Sequence, residues 1–333
     1  MTPIKECLVN KRTDIKPVWL MRQAGRYLPE FRDIRKENPD FIQLCLNQKL
    51  SEIITLQPID RFNFDAAIIF SDILMVPYGM GQNVKFKKNF GPSLGEINID
   101  NFIDLDEKTF TQNVSPIYKL LENLSKNEKL KNKDLIGFVG APWTLLVYMV
   151  NKISPKNGLP ENFLKNDALV NELLELLDKF VKIHIRNQVN AGATIIQIFD
   201  SWAGLIIQDH EKYLYKPTES LVKFTKDLGV PVICFPRGIS NYKEFCQVVK
   251  PSMINIDYNV DPKKLIGEID IPIQGGLDPS VLLTNKENLN RKVNMYLEIF
   301  KDHPYVFNLG HGIMPDTKIE MVEELIKTVR DFK

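Results

Sequence analysis

The chain has 333 residues, 44% of them hydrophobic and 26% charged, and its formal net charge is +1. This composition indicates a globular protein and leaves room for one large α/β barrel or two ordinary domains. A net charge near zero gives no overall field that favours nucleic acid, so an anionic ligand has to be bound by local arginines. The N-terminal residues lack the pattern of a signal or transit peptide, and no apolar run approaches the roughly 18 residues that cross a bilayer. We therefore expect a cytoplasmic protein with neither a membrane nor a nucleic-acid partner.

Short apolar runs bounded by turn residues recur along the chain and predict buried strands. Eight such runs are present, at residues 17–21, 66–70, 135–139, 194–199, 230–235, 253–256, 271–274 and 305–309. Helical spacing of apolar residues predicts helices at residues 41–58, 113–126, 166–190, 211–228, 287–300 and 317–332. A further helix carries Tyr148, and a short one precedes residue 253. Residues 78–101 predict a loop or a small hairpin.

The alternation of strands and helices, without a linker between them, predicts one domain over residues 1–333. Eight strand-helix units in a single domain are typical of a (β/α)8 barrel. A doubly wound open sheet is the alternative, but no GxGxxG sequence follows the first strand.

Polar residues follow the carboxyl ends of most of the predicted strands. They are Arg22, Asp72, Ser201, Arg237, Asp257, Asp278 and His311. In a (β/α)8 barrel this face carries the active site, which several strand ends build together. Strand ends are also turns, which favour Asp, Ser and Gly in any case. The pattern therefore predicts a cleft at this face without assigning each residue a role.

The first of these strand ends carries two arginines, Arg22 and Arg26. The planar guanidinium fork of arginine binds carboxylate through two parallel hydrogen bonds. A helical turn after Met21 would place both forks on one face, directed into one pocket. Alternatively, Arg26 pairs with Glu30 and Arg22 with another nearby acid, on a solvated turn.

The cysteines do not indicate a metal site. The four cysteines, Cys7, Cys45, Cys234 and Cys246, form no CxxC pair and no Cys/His cluster. We expect them to be reduced, and we expect no zinc site.

Seven segments together resemble the uroporphyrinogen decarboxylase family. They are MRQAGRYLPEF (21–31), FSDIL (70–74), IGFVGAPWTLLVYMV (136–150), QIFDSWAG (197–204), CFPRG (234–238), QGGLDP (274–279) and NLGHGI (308–313). They follow the family order and extend over nearly the whole chain. One difference is that 151–155 reads NKISP, where many members have an acidic residue and a glycine-rich loop. This difference leaves the loop after Val150 unassigned.

The resemblance implies a distorted (β/α)8 barrel, usually a homodimer, that uses no metal or organic cofactor. It implies decarboxylation of the four acetates of uroporphyrinogen III to methyls, which gives coproporphyrinogen III. It also implies a substrate-binding run formed by Arg22, Gln23, Ala24, Gly25 and Arg26. The aspartate that contacts the pyrrole nitrogens matches Asp72, and the other cleft positions match Tyr148, Ser201, His311, Phe31 and Phe199.

The chemistry of such a substrate fits these residue types. Protonation of a pyrrole carbon makes the ring its own electron sink for the loss of CO2. Asp72 is the candidate that stabilises the resulting cation, unless it only caps its turn. Arg22 matches the position argued to donate the proton, although arginine barely releases one, and water or a substrate carboxylic acid is the alternative donor. Arg237 either binds a further carboxylate or bridges to Asp257.

Two other functions fit parts of the pattern. A zinc-dependent methyltransferase of the same barrel type would need His and Cys ligands near strand ends, and the chain has no HxC element. A non-catalytic tetrapyrrole carrier would keep the arginines but would not need Asp72. Release of CO2 from the reduced substrate separates an enzyme from a carrier.

Overall fold

A computed structural model describes residues 1–87, 90–155 and 157–332. Within these residues, nine strands are found, numbered β1 to β9: Ala66–Ile68, Val84–Lys87, Gly91–Leu94, Asp134–Gly140, Ile195–Asp200, Val232–Pro236, Met253–Ile256, Ile273–Gly275 and Tyr305–Val306. Seven of them form one parallel sheet in the order β1-β4-β5-β6-β7-β8-β9. β2 and β3 pair separately as an antiparallel hairpin, as predicted for residues 78–101.

Fifteen helices of the described chain, numbered α1 to α15, connect and surround the strands. Their bounds are Pro3–Val9, Pro29–Glu37, Phe41–Leu46, Gln48–Phe62, Met75–Gly79, Ile99–Ile103, Glu107–Ser125, Pro142–Asn151, Glu161–Leu164, Asp167–Asn190, Lys216–Asp227, Tyr242–Val249, Pro262–Leu265, Lys286–Ile299 and Ile319–Asp331. Three short 3₁₀ helices lie at Glu128–Leu130, Ala203–Leu205 and Pro279–Leu283, and a π-helical segment at Glu211–Tyr215 precedes α11.

The first predicted strand, residues 17–21, is not a strand of the sheet. It forms a single parallel bridge, between Val18 and Phe307. Side-chain oxygens accept hydrogen bonds from backbone N–H groups that would pair with a neighbouring strand in a regular sheet. Val18 N donates to Asp65 Oδ2 at 2.7 Å, and Met21 N donates to Asn308 Oδ1 at 2.9 Å. The prediction of eight strands was therefore wrong by one, because tertiary hydrogen bonds replace the ladder here.

The same segment nevertheless closes the ring of strands. On one side, Phe307 N donates to Pro17 O at 2.7 Å, and Trp19 N donates to Phe307 O at 3.3 Å. On the other side, Asp65 N, next to β1, donates to Val18 O at 3.0 Å. The segment thus takes the place of the eighth strand between β9 and β1, and the predicted distorted α/β barrel is confirmed.

Polar side chains lie inside the barrel and bond to one another. Trp19 Nε1 donates to Gln274 Oε1 at 2.8 Å, and Gln274 Nε2 donates to Asn255 Oδ1 at 2.7 Å. All three residues are fully buried. The interior is therefore a packed core and not a pore, and ligands have to bind at the rim.

Several predicted helices have different ends in the structure. The helix predicted at 41–58 is divided at Asn47, whose side chain accepts from Leu50 N at 3.1 Å and so caps α4. Pro58 lies inside α4, which continues to Phe62. The helix predicted from residue 113 begins at Glu107, because Asp106 caps it. No helix of the described residues is long and apolar enough to cross a membrane.

Candidate active site

The residues after Met21 fold as a non-helical turn, so the helical spacing considered for Arg22 and Arg26 does not apply. Arg22 has a φ of 59°, in the left-handed region that non-glycine residues rarely adopt. Gln23 fixes this turn, because its fully buried amide accepts from Leu20 N at 3.2 Å and donates to Ala66 O at 3.0 Å. The side chain of Gln23 therefore supports the turn that carries Arg22.

Arg22 and Arg26 are both exposed to solvent. Neither forms an ion pair within residues 1–87, 90–155 and 157–332. Glu30, the alternative partner considered for Arg26, pairs with Arg61 at 3.0 Å. The two forks that the sequence singles out are thus free to bind an anion.

The side chain of Arg22 lies over Gly312, where a larger residue would clash with its Cδ. Solvent reaches the guanidinium, yet enough protein surrounds it for burial to lower its pKa; Asp72 raises this pKa, whereas Arg26 and Arg237 lower it. These effects place the other three charges near Arg22 at the rim of the barrel.

Asp72 follows β1 and has a half-buried side chain. Its Oδ1 accepts from Leu74 N at 2.9 Å, so Asp72 does cap its turn. Burial raises the pKa of Asp72 to about 6, although the bond from Leu74 and the charge of Arg22 act in the opposite direction. Near neutral pH the group is therefore mostly ionised in a place where its charge is poorly solvated, and such a carboxylate interacts strongly with a nearby cation.

Tyr148 and Ser201 come to the same region from two neighbouring strands. Tyr148 lies on α8, which follows β4, and its ring packs edge-on against Trp202 with centroids 5.7 Å apart. Burial and the charge of Asp72 raise the pKa of Tyr148, so the hydroxyl keeps its proton and can donate. Ser201, which follows β5, is half-buried.

His311 follows β9 and is half-buried between two glycines. Burial and the positive charges of Arg22 and Arg237 lower the pKa of His311 to about 4. The imidazole is therefore neutral near pH 7. It can offer a hydrogen bond to a ligand but adds no charge.

The apolar candidates differ in their access to a ligand. Phe31 is only 4% exposed, and its ring packs edge-on against Phe70 at 5.7 Å. Phe199 is half-buried and packs edge-on against Phe138 at 5.6 Å. The two small residues of the arginine segment, Ala24 and Gly25, are also half-buried, and a Cβ on Gly25 would lie 2.9 Å from Arg22 O.

Sequence reasoning missed a buried pair behind this rim. Asp200 is 2% exposed, and its Oδ1 accepts from Thr144 Oγ1 at 2.5 Å. Thr144 Oγ1 in turn accepts from Trp202 N at 3.0 Å. Thr144 lies one helical turn before Tyr148, and Asp200 directly precedes Ser201. The Thr144–Asp200 hydrogen bond therefore connects the helix that carries Tyr148 to the strand end that carries Ser201. Burial raises the pKa of Asp200 to about 7. The FDSW motif contained this signal, because an acid at the end of a buried strand needs a partner.

The described residues contain no group of three or more His, Cys, Asp or Glu side chains arranged to hold a metal ion. The rim carries two arginines without an ion pair to the described residues, one poorly solvated carboxylate, two hydroxyls and a neutral imidazole. Such a set of side chains suits a barrel enzyme that acts on a small molecule with many carboxylates.

Comparison with known proteins identifies the family. A family model described as "Uroporphyrinogen decarboxylase (URO-D)" matches residues 1–332. Proteins named uroporphyrinogen decarboxylase from Rickettsia bellii and Orientia tsutsugamushi are 38% and 36% identical to the chain. The first match covers 97% of each protein, and the second covers 100% of this chain and 99% of the relative. The chain therefore belongs to the uroporphyrinogen decarboxylase family, a family of carboxy-lyases.

A solved structure of a methyltransferase from Methanosarcina mazei also resembles the chain. It has a TM-score of 0.79 and covers 100% of this chain, and 99% of that protein is matched. Only 16% of the aligned residues are identical. This likeness shows the fold alone, which is the barrel described above.

Proposed function

We propose that the protein decarboxylates the four acetate side chains of uroporphyrinogen III to methyl groups. The products are coproporphyrinogen III and four molecules of CO2, in tetrapyrrole biosynthesis for haem. The observation that carries this assignment is the position of Asp72, a poorly solvated carboxylate at the barrel rim beside Arg22, which forms no ion pair with the described residues. A substrate with eight carboxylates and four pyrrole N–H groups needs both kinds of partner.

The reaction needs no external electron sink. Protonation of the pyrrole carbon that bears the acetate gives a ring cation. The bond between the acetate methylene and its carboxylate then breaks, its electron pair neutralises the ring, and CO2 leaves. A proton then adds to the methylene, and the ring loses the proton it gained. Each acetate thus exchanges CO2 for one proton.

Asp72 stabilises the cation in this scheme. Its carboxylate accepts hydrogen bonds from the pyrrole N–H groups, and its negative charge offsets the positive charge that develops on the ring. Because burial raises its pKa to about 6, this charge is present at neutral pH. The stabilisation appears only after protonation of the ring, so it lowers the barrier and not merely the energy of the bound substrate.

The other residues bind and orient the macrocycle. Arg22 and Arg26 bind carboxylates, while Tyr148, Ser201 and the neutral His311 supply hydrogen bonds. Phe199 and Phe31 lie beside the ring, and Ala24 and Gly25 leave room for it; Gln23 holds the turn. Arg22, whose pKa burial lowers, lies next to Asp72 and is a candidate for the proton donor, as are a water molecule and a substrate carboxylic acid.

The decisive experiment is anaerobic incubation with uroporphyrinogen III, followed by chromatography that counts product carboxylates. We expect products with seven, six, five and finally four carboxylates, together with released CO2. Binding without any release of CO2 would identify a carrier and overturn the assignment. A protein that neither binds nor converts the substrate would exclude both functions.

The proposal includes the setting of the enzyme. We propose a single-domain homodimer in the cytoplasm that needs neither a metal nor an organic cofactor and has a small-molecule substrate but no nucleic-acid or membrane partner. Analytical ultracentrifugation at micromolar concentration measures the oligomeric state. A sedimentation coefficient of a monomer of 38.4 kDa would contradict the dimer.

A further inference from the structure

Arg237 stands at the carboxyl end of β6, and its backbone is fixed on both sides. Its N–H donates to Asp200 O at 3.0 Å, and its carbonyl accepts from Gly204 N at 3.0 Å. Gly238, the next residue, has a φ of 81°, and a Cβ on Gly204 would lie 2.7 Å from its carbonyl oxygen. The close approach of these two glycines holds the root of the arginine side chain in place.

The guanidinium group has one charged neighbour, at a long distance. Arg237 Nε lies 3.7 Å from Asp257 Oδ2, which is beyond a hydrogen bond. Nε is buried, and it has no hydrogen-bond partner in the described part of the chain. Asp257 has a side chain that is only 3% exposed, so it keeps its carboxylate beside Nε. Asp257 therefore offsets part of the charge of Arg237 without a hydrogen bond to its guanidinium group.

The remaining edge of the fork, Nη1 and Nη2, is available to a ligand. The side chain of Arg237 is 29% exposed, and none of the hydrogen bonds within the described residues uses its Nη atoms. The charge of Arg237 lowers the pKa of both Arg22 and His311, which places it near these two residues of the rim. Arg22 and Arg26 alone offer two forks to a substrate with eight carboxylates.

We propose that Arg237 is a third carboxylate-binding arginine of the site, that its Nη edge binds a side-chain carboxylate of the substrate, and that Asp257 positions it. The assignment rests on the proposed function for the identity of the substrate. It decides between the two roles open from the sequence: Asp257 is the support of Arg237 and not its only partner. Bidentate binding by a fork held in advance adds both affinity and orientation.

The test compares Arg237→Gln with Arg237→Lys and with a matched control, Arg291→Gln, which changes an exposed arginine on α14. Two quantities are measured: KM and kcat with uroporphyrinogen, and Kd for uroporphyrin, the oxidised and unreactive octacarboxylate, by fluorescence quenching. We expect Arg237→Gln to raise KM and Kd by about 10- to 100-fold, the range for a hydrogen-bonded charge. We expect kcat to stay within about threefold, a partial effect of Arg237→Lys, and no effect of Arg291→Gln.

A purely structural role would give a different result. Arg237→Gln would then lower Tm but leave KM and Kd unchanged in the folded fraction, and this outcome overturns the proposal. If Arg237→Gln does not fold, because it leaves Asp257 charged and alone, Arg237→Gln/Asp257→Asn removes both charges at once. This double variant is expected to fold and to show the same rise in Kd. Wild-type Kd in the double variant would also overturn the proposal.

The two proposals fail separately. Absence of CO2 release by the wild-type protein contradicts the proposed function. A Kd for uroporphyrin that does not depend on Arg237 contradicts carboxylate binding by Arg237, even if the wild-type protein is an active decarboxylase.

Discussion

Two regions of the rim meet at the candidate site and are built by different physical means. The arginine turn, residues 20–28, carries exposed positive charges on a backbone that the buried amide of Gln23 holds in place. The strand-end cluster, formed by Thr144, Asp200 and Trp202, is linked by buried hydrogen bonds and presents hydroxyls from its neighbours. In the proposed function, the first region contributes charge for binding, and the second holds Tyr148 and Ser201 in position. Asp72 combines both features, because it carries a charge and is partly buried.

The largest expected effect is that of Asp72→Asn, which removes the negative charge near Arg22 and Tyr148. The variant keeps the shape of the side chain and an oxygen that can accept from Leu74 N. Loss of one well-placed electrostatic stabiliser costs about 10² to 10³ in rate. We expect kcat and kcat/KM of Asp72→Asn to fall together by at least about this factor, while Kd for uroporphyrin changes little.

Asp278→Asn is the matched control, because Asp278 also follows a strand and caps a turn, accepting from Ser280 N at 2.8 Å. Near-normal turnover of Asp72→Asn would show that Asp72 only caps its turn, as Asp278 does. The wild-type enzyme should also lose kcat as the pH falls through about 6, where Asp72 takes up a proton. That loss should be absent from the residual activity of Asp72→Asn.

The second effect concerns stability and isolates the strand-end cluster. Burial raises the pKa of Asp200 from 3.8 to about 7 in the folded protein. The folded state therefore holds a proton that the unfolded state releases between about pH 4 and pH 7. The free energy of unfolding falls as the pH rises through this window. Above it, the folded protein bears the whole free-energy cost of a buried, ionised Asp200. Asp200→Asn removes this titration and keeps an acceptor for Thr144.

We expect Asp200→Asn and the wild type to be about equally stable near pH 4. Above pH 7 the variant should be more stable by up to about 4 kcal/mol. Urea unfolding at several pH values measures the difference, and other titrating groups cancel because both proteins share them. Parallel stability curves for the two proteins would show that Asp200 does not hold this proton.

The third effect is smaller and belongs to the arginine turn. In the proposed function, Arg26 binds a carboxylate equally in the ground state and in the transition state, and Arg26→Ala removes this exposed guanidinium. Such a loss raises KM more than it lowers kcat. We expect KM to rise by about tenfold with kcat nearly unchanged. Arg12→Ala is the control, because Arg12 is also exposed, pairs with Asp14 and is not a residue of the candidate site. A collapsed kcat with an unchanged KM would assign Arg26 to the chemical step.

The arginine turn also shows where prediction from the sequence succeeds and where it fails. The strands from residue 66 onward are apolar runs between turn residues, and each forms a strand within a few residues of its predicted ends. Residues 17–21 have the same apolar pattern but no ladder. Three of their N–H groups bond to the side chains of Asp65, Gln23 and Asn308, and two of these residues are distant in the sequence. No local pattern contains such partners.

The same reason limits prediction of the site. The rule that active sites lie at the carboxyl ends of barrel strands directed attention to Arg22, Asp72 and His311, and the structure places them near one another. Their roles toward a substrate stay predictions. The bond between Thr144 and Asp200, and the long contact between Arg237 and Asp257, depend on the register of neighbouring strands. That register is set by the closed barrel and cannot be read from one segment.

The last prediction is that removal of metal ions has no effect on activity. It tests whether the two regions suffice for the proposed decarboxylation without a metal. The arginine turn supplies the positive charge, and the ring of the substrate accepts the electrons, so the proposed reaction has no step that requires a metal or an organic cofactor. Exhaustive dialysis against a chelator should leave kcat and KM of the wild-type enzyme unchanged. Asp72→Asn, dialysed in parallel, should keep its low rate after addition of Zn²⁺ or Mg²⁺. If dialysis abolishes activity and added metal restores it, a cation takes part in the site, and Asp72 would then be a ligand of that cation and not the direct partner of the pyrrole nitrogens.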